Sequence, residues 1–144
     1  MNKEQNINII KSSIIYRDFI LHSGDYSNWK CNLELIKDYY KYLMNILDPK
    51  YQVIGIETEG AKLSLSMKRF GYTISETWKG PRSFMCSLVD DVVTTESTMK
   101  KTTEYLIQYG ITIGEYLCVL DRRKENEKSL DIKSIVTSKD LGLL

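Results

Sequence analysis

The chain has 144 residues, of which 42% are hydrophobic and 27% are charged. These proportions exclude disorder throughout the chain, because enough apolar surface is present to offset the entropy lost on folding. Twenty basic residues against nineteen acidic ones leave a net charge of +1, and no apolar run reaches the roughly 18 residues of a membrane span. The three cysteines are odd in number and far apart, which fits a reducing compartment. We therefore expect one cytosolic domain that binds neither nucleic acid nor membrane.

The first 50 residues are predicted to form a helical, or hood, part of the domain. Apolar residues at helical spacing predict helices over residues 7–19 and 33–47, and Asp48-Pro49 ends the second one. Residues 22–32 are rich in Ser, Gly, Asp and Asn, which predicts a loop.

Residues 51–144 are predicted to form an α/β core. Short apolar strands alternate with helices there, which indicates a mostly parallel sheet flanked by helices. The predicted strands cover residues 51–56, 72–74, 84–89, 115–120 and 132–136, the predicted helices residues 61–70 and 97–109, and a last turn residues 138–141. Gly110 is a natural helix C-cap. Because ligands of such sheets bind beyond the carboxyl ends of the strands, residues 57–61 and 90–98 are the candidate site.

Two adjacent acids, Asp90 and Asp91, follow a predicted strand and precede hydroxyl residues that open a helix. Carboxylates at a strand end can accept hydrogen bonds from ribose hydroxyls, and the amides of a helix N-terminus suit a phosphate. One loop can thus bind both ends of a ribose 5-phosphate. The alternative is that the acids form a solvated turn and that Thr95 or Ser97 only caps the helix.

Several motifs resemble those of one enzyme family. The segment LVDDVVTTEST, residues 88–98, resembles the phosphoribosyl pyrophosphate motif of type I phosphoribosyltransferases. FILHSGDYS, residues 19–27, is similar to the F-x-L-x-S-G-x-x-S signature of orotate phosphoribosyltransferases. Leu120-Asp121-Arg122 and residues 131–141 resemble that family's Asp-Arg pair and C-terminal pattern. The matches follow the family order over about residues 15–144, which implies a single phosphoribosyltransferase-like domain over residues 1–144, commonly paired as a homodimer.

The resemblance implies a reaction and a set of site residues. The reaction is transfer of a phosphoribosyl group from phosphoribosyl pyrophosphate to orotate, giving orotidine 5'-monophosphate and pyrophosphate, with Mg²⁺ ordering the pyrophosphate. By the resemblance, Asp90 and Asp91 hold the ribose hydroxyls, and Thr94 and Arg122 contact orotate. The 5-phosphate is assigned to the loop formed by Thr94, Thr95, Glu96, Ser97 and Thr98. The remaining assigned residues are the catalytic Lys79 and the substrate-binding His22, Thr58, Glu59, Gly60 and Arg82.

Some of these residues differ from the family pattern. Glu96 stands where the family has glycine, Glu59 where orotate enzymes carry lysine, and His22 where they carry another lysine. Two like charges ~4 Å apart in a partly screened site cost on the order of 4 kcal/mol. We therefore expect Glu96 either to weaken phosphate binding or to turn to solvent.

Other residues have a structural alternative beside the functional one. Arg122 is either an orotate contact or an exposed charge in a basic run. Lys79 and Arg82 either contact phosphates or flank a solvated turn at Gly80-Pro81. Trp29 and Trp78 adjoin loops of the candidate site but are more typical of packing.

The segment between the predicted strands at residues 72–74 and 84–89 is shorter than the family's catalytic lid, which excludes water from the reacting centre. Three interpretations stay open. The chain is an orotate phosphoribosyltransferase-like enzyme, or a transferase for another base. The third is a catalytically degenerate protein of the same fold that binds nucleotide or ribose phosphate in a regulatory role.

Overall fold

A computed structural model describes residues 3–20, 26–32, 43, 45–56, 71–73 and 82–143. The helices are α1 (Lys3–Lys11), α2 (Ser97–Ile107) and a 3-10 helix (Glu125–Glu127). The strands are β1 (Ile14–Ile20), β2 (Tyr26–Cys31), β3 (Gln52–Gly55), β4 (Gly71–Thr73), β5 (Met85–Val93), β6 (Thr112–Asp121) and β7 (Ile132–Thr137).

Five of the strands form one parallel sheet in the order β4-β3-β5-β6-β7. This confirms the predicted α/β class, and each core strand predicted from the sequence overlaps a strand of the sheet. Strands β1 and β2 form a separate antiparallel pair. Helix α2 confirms the helix predicted after the paired acids, and Gly110 beyond its end has φ of 74°, a left-handed conformation that favours glycine.

The sheet is buried on both faces, which explains why β5 and β6 are nearly continuous apolar runs. One apolar cluster joins the sheet to α1, β2 and the C-terminal turn, and includes Ile10, Trp29, Val89, Val119 and Leu141. The other lies under α2 and includes Ile54, Leu88, Met99, Leu106 and Cys118. Cys86 and Cys118 are buried and free, and burial raises the pKa of the Cys86 thiol to about 12. None of the helices in the described ranges is long and apolar enough to span a membrane.

The N-terminal part differs from its prediction. The helix predicted over residues 7–19 is wrong beyond Lys11, because the hydroxyls of Ser12 and Ser13 donate to the carbonyls of Ile9 and Ile10 and compete with further helical bonds. The chain then enters β1. The loop predicted over residues 22–32 is wrong for β2, which pairs with β1.

Two predicted helices cannot be compared in full. Residues 33–42 and 44 lie outside the described residues, as do residues 57–70. The predicted stop at Asp48-Pro49 lies in a stretch of turns over residues 45–51.

Candidate active site

Strand β5 carries the paired acids to the carboxyl end of the sheet. It pairs with β3 only as far as Val89 but follows β6 to Val93. The predicted end of this strand at residue 89 is therefore wrong, and Asp90 and Asp91 lie in a stretch that β3 does not cover. This places both acids at the edge where parallel sheets bind ligands.

The two carboxylates are half-buried and bond only locally among the described contacts. Asp90 Oδ1 accepts from the amide of Asp91 at 2.8 Å, and Asp91 Oδ1 accepts from the amide of Val92 at 2.6 Å. Burial, and then the charge of Asp91, raises the pKa of Asp90 well above its usual range. Within the described ranges no ion pair joins either acid to a cation. Closely spaced acids of this kind are typical of functional sites.

The residues between β5 and α2, together with the first helical residues, form what we call the 94–98 loop. Its Thr94 and Thr95 are half-buried, Ser97 and Thr98 are exposed, and the hydroxyls of Thr95 and Ser97 lie 3.0 Å apart. Glu96 has φ −86° and ψ 0°, an ordinary right-handed conformation that requires no glycine. The loop thus combines hydroxyls with the amides of a helix N-terminus, a combination that suits an anion.

The Glu96 side chain is buried at 6% exposure and does not turn to solvent. Its Oε2 accepts from Arg123 Nη1 at 2.6 Å and from the amides of Ser129 and Leu130 at 2.7 and 2.8 Å. Its Oε1 accepts from the Ser129 hydroxyl and lies 3.2 Å from Lys100 Nζ. Burial opposes ionisation, but these hydrogen bonds hold the pKa of Glu96 well below its usual range. The expectation that Glu96 turns to solvent is therefore wrong, and its effect on phosphate binding stays a prediction.

Sequence reasoning missed Arg123, which is the buried partner of Glu96. The Arg123 guanidinium donates through Nε and Nη2 to the two carboxylate oxygens of Asp121, at 3.0 and 2.8 Å. It also donates to the carbonyl of Leu130 at 2.7 Å. The only available signal was that consecutive residues after a strand project to opposite sides, so that Arg122 and Arg123 of the basic run need not share a role.

Arg122 lies on the other side of the chain, against β2. Its guanidinium carbon is 3.5 Å from the centroid of the Trp29 ring, and its Nη2 donates to the hydroxyl of Ser27 at 2.7 Å. The alternative interpretation of Arg122 as an exposed charge is wrong. Trp29 is buried at 4% exposure, as the packing interpretation predicts, and it also orients this guanidinium.

The hydrogen bonds of Arg122 join three motifs that are far apart in sequence. Its side chain contacts Ser27, the last residue of the 19–27 signature, and its amide donates to the carbonyl of Val93 at 2.7 Å. Val93 directly precedes the 94–98 loop. The signature, the Asp-Arg pair and the paired-acid motif therefore meet at one end of the sheet.

The structure does not bring every assigned residue to this place. Arg82 precedes β5 and lies over the ring of Tyr109, 5.0 Å from its centroid. At ~3.3 Å per strand residue, the backbone of Arg82 lies on the order of 20 Å from that of Asp90. The assigned residues outside the described part of the chain are His22, Thr58, Glu59, Gly60 and Lys79, together with Trp78.

The residues present fit a magnesium ion held mainly by its substrate. In the described part of the chain, no group of three or more His, Cys, Asp or Glu side chains is placed to hold a metal. Asp90 and Asp91 nevertheless offer adjacent carboxylate oxygens, the hard ligands that Mg²⁺ takes together with substrate oxygens.

A concave region lies at the opposite, amino ends of the strands. This amino-end cleft has a volume of about 340 Å³ and is lined by Asp48, Tyr51, Gly114, Glu115, Tyr116, Asp131 and Lys133. The Tyr51 ring covers Gly114 so closely that a Cβ there would lie 2.6 to 2.8 Å from it. Buried Glu115 accepts from the Ser87 hydroxyl at 2.5 Å, the Asp48 amide at 2.8 Å and Lys133 Nζ at 3.0 Å.

The parallel sheet with its flanking helices matches the fold of solved phosphoribosyltransferases. Among solved structures, the chain is similar to orotate phosphoribosyltransferase from Aeropyrum pernix, with a TM-score of 0.73 and 22% identity over 94% of this chain and 96% of that one. It is also similar to the Mycobacterium tuberculosis orotate phosphoribosyltransferase in complex with 5-phospho-alpha-D-ribosyl 1-diphosphate, with a TM-score of 0.74 and 14% identity over 98% and 99% of the two chains.

A sequence comparison finds a relative with the same name as these solved structures. The chain is 31% identical over 65 residues to the orotate phosphoribosyltransferase of Leptospira biflexa. That stretch is 45% of this chain and 34% of the relative, so the chain matches about a third of the relative's length. No protein-family model matches the chain.

Proposed function

We propose that the protein transfers a phosphoribosyl group from phosphoribosyl pyrophosphate to orotate, giving orotidine 5'-monophosphate and pyrophosphate. The observation that carries this proposal is the pair of hydrogen bonds from Arg122, to Ser27 and to the carbonyl of Val93. These bonds bring together the motifs expected to bind the base and the sugar phosphate, so that both substrates can meet at one place.

The sugar phosphate is assigned to the acids and the loop that follows them. Asp90 and Asp91 accept hydrogen bonds from the ribose hydroxyls, and the hydroxyls and amides of the 94–98 loop receive the 5-phosphate. The raised pKa of Asp90 is consistent with a ligand that supplies donors or positive charge to this pair. Mg²⁺, when bound with the substrate, neutralises the charge of the pyrophosphate.

The base is assigned to the region beside Arg122, whose planar guanidinium is held in place by Trp29 and Ser27. A fixed cation at this position orients the planar anion orotate next to the sugar. A bond then forms between a pyrimidine nitrogen and the sugar carbon while the bond from that carbon to the pyrophosphate oxygen breaks. The pyrophosphate leaves with the electron pair of that bond, and the nitrogen's proton passes to water. The protein contributes position and charge rather than a nucleophile.

The test is the loss of orotate absorbance on incubation with phosphoribosyl pyrophosphate and Mg²⁺. The wild-type protein should consume orotate, and the double variant Asp90→Asn with Asp91→Asn should lose at least about 100-fold in rate, because the ribose contacts are removed. Asp131→Asn is the matched control, since Asp131 is an exposed acid at the amino-end cleft, and it should retain wild-type activity. Equal activity of the double variant and the control would contradict the proposal.

A second candidate is a protein of the same fold that binds ribose phosphate or nucleotide without turnover. The observation that favours it is the short connection from β4 to β5, residues 74–84, in place of a long lid, together with the distant position of Arg82. Calorimetry that detects binding of phosphoribosyl pyrophosphate to a protein that consumes neither orotate nor any other base in a panel would select this candidate.

By the same resemblance we propose that the protein is a homodimer acting in the cytosol. Sedimentation equilibrium tests the first point, with a dimer mass as the expected result and a monomer mass at all concentrations as the contrary one.

A further inference from the structure

Glu96 links two loops that come from different parts of the chain. The 94–98 loop follows β5, and the β6–β7 loop is residues 122–131. One oxygen of the Glu96 carboxylate accepts three hydrogen bonds from the β6–β7 loop, from Arg123 and from the amides of Ser129 and Leu130. The other accepts from the Ser129 hydroxyl. The Glu96 side chain therefore bonds the 94–98 loop to the β6–β7 loop.

The charge of Glu96 is balanced where it lies. Arg123 is shared between Glu96 and Asp121, and Lys100 lies 3.2 Å from the second Glu96 oxygen. Two acids and two bases thus form one cluster, and both Glu96 and Arg123 are almost fully buried. A balanced, buried carboxylate contributes little repulsion to an anion outside the cluster.

We propose that Glu96 is a positioning residue that fixes the 94–98 loop in the shape that receives the sugar phosphate, a role resting on the proposed function. Arg123 also connects Glu96 to the region assigned to the base, because its neighbour Arg122 is hydrogen-bonded to Ser27 and to Val93. The Glu96–Arg123 pair holds the phosphate side and the base side of the site at a fixed separation. The carboxylate anchor substitutes for the glycine that the resemblance leads one to expect.

The direction in which Glu96→Gln changes the affinity for ribose 5-phosphate separates this role from repulsion of the phosphate. Glu96→Gln removes the charge and one acceptor oxygen, so the ion pairs to Arg123 and Lys100 are lost and the amide NH2 faces a donor group in either orientation. If Glu96 positions the loop, the variant binds ribose 5-phosphate about ten-fold more weakly, since small displacements of binding groups are costly. If Glu96 repels the phosphate, the same variant binds more tightly.

The experiment measures the Kd of ribose 5-phosphate by calorimetry for the wild type, Glu96→Gln, Glu96→Gly and Glu104→Gln. Glu104 is the matched control because it is an exposed acid on α2 and undergoes the same change of charge. Amide hydrogen exchange on each protein reports whether the effect is local. Faster exchange at residues 94–98 and 129–130, with the β5 and β6 core unchanged, is the expected pattern.

Weaker binding by both Glu96 variants with wild-type affinity in Glu104→Gln supports the proposal. Equal or tighter binding by Glu96→Gln overturns it while leaving the proposed function in place, and so does faster exchange with unchanged affinity. A wild-type protein that binds no ribose 5-phosphate overturns the proposed function, and this inference falls with it.

Discussion

Each end of the sheet carries a buried glutamate whose charge is compensated. The carboxyl end also carries a half-buried pair of acids, Asp90 and Asp91. Glu115 at the amino end is satisfied by Ser87, Asp48 and Lys133, and Glu96 at the carboxyl end by Arg123 and the β6–β7 loop. Asp90 and Asp91 have no cation partner among the described ion pairs. The comparison teaches that a compensated buried acid is typical of a structural role, whereas a half-buried, uncompensated pair at a strand end is typical of a binding site.

The largest expected effect is a difference in stability between two variants, each of which removes the cation that pairs with one of the two glutamates. Arg123→Met removes the buried cation shared by Glu96 and Asp121, and should lower the free energy of unfolding by about 3–5 kcal/mol. Lys133→Met should cause a much smaller loss, because the Lys133 side chain is 51% exposed and water can replace it. Urea unfolding of both variants at pH 7 measures the difference, and equal losses would remove the distinction between the two ends.

The next effect is a pH dependence whose sign differs between Glu96 and Asp90. The pKa of Glu96 is lowered in the fold, so its stabilisation is present above the unfolded pKa of about 4.3 and is lost as the pH falls through the folded value. Glu96→Gln should therefore lower the free energy of unfolding by about 1–3 kcal/mol at pH 7. The deficit relative to wild type should narrow towards pH 3.

Asp90 should behave in the opposite way. Its pKa is raised in the fold, so ionising it is unfavourable, and the wild type loses stability as the pH rises from the unfolded pKa of about 3.9 towards the folded value. Asp90→Asn should be more stable than wild type by roughly 1 kcal/mol at pH 7 and near equal at pH 3.5. Unfolding curves from pH 3 to 8 for Glu96→Gln and Asp90→Asn give the stability of each variant relative to wild type at each pH. The same pH dependence for both variants would contradict the account.

The core of the fold was predictable because its signals are local and repeated. Apolar runs at residues 84–89 and 115–120 lie in strands covered on both faces, and the acids after the first run indicated the carboxyl end of a sheet. The boundary of β5 was not predictable, because Asp90 and Asp91 disfavour strand and only pairing with β6 extends it to Val93.

The N-terminal hairpin was missed for a related reason. Ile7, Ile10, Ile14 and Ile15 have helical spacing, but the hydroxyls of Ser12 and Ser13 bond back to the preceding turn and the helix ends there. Serine competes with the backbone in this way in many contexts, so its presence alone does not give the boundary.

The site was only partly predictable. The motifs indicated the acids, the 94–98 loop and Arg122. In the structure, Arg122 donates hydrogen bonds to Ser27 of the 19–27 signature and to the carbonyl of Val93, which precedes the loop. The partner of Glu96 could not be found, because Arg123 lies 27 residues away in sequence and no local pattern joins the two. Long-range ion pairs of this kind depend on the register between β5 and β6, and that register cannot be predicted from the local sequence of either strand.

The most direct test of the central claim is an amide NMR titration of the wild-type protein with ribose 5-phosphate and Mg²⁺. The account predicts that saturable shifts concentrate at residues 90–98, with smaller ones at Arg122 and Ser129, while Gly114 and Lys133 at the amino-end cleft stay unchanged. Shifts confined to the amino-end cleft, or none at residues 90–98 at saturating ligand, would contradict it.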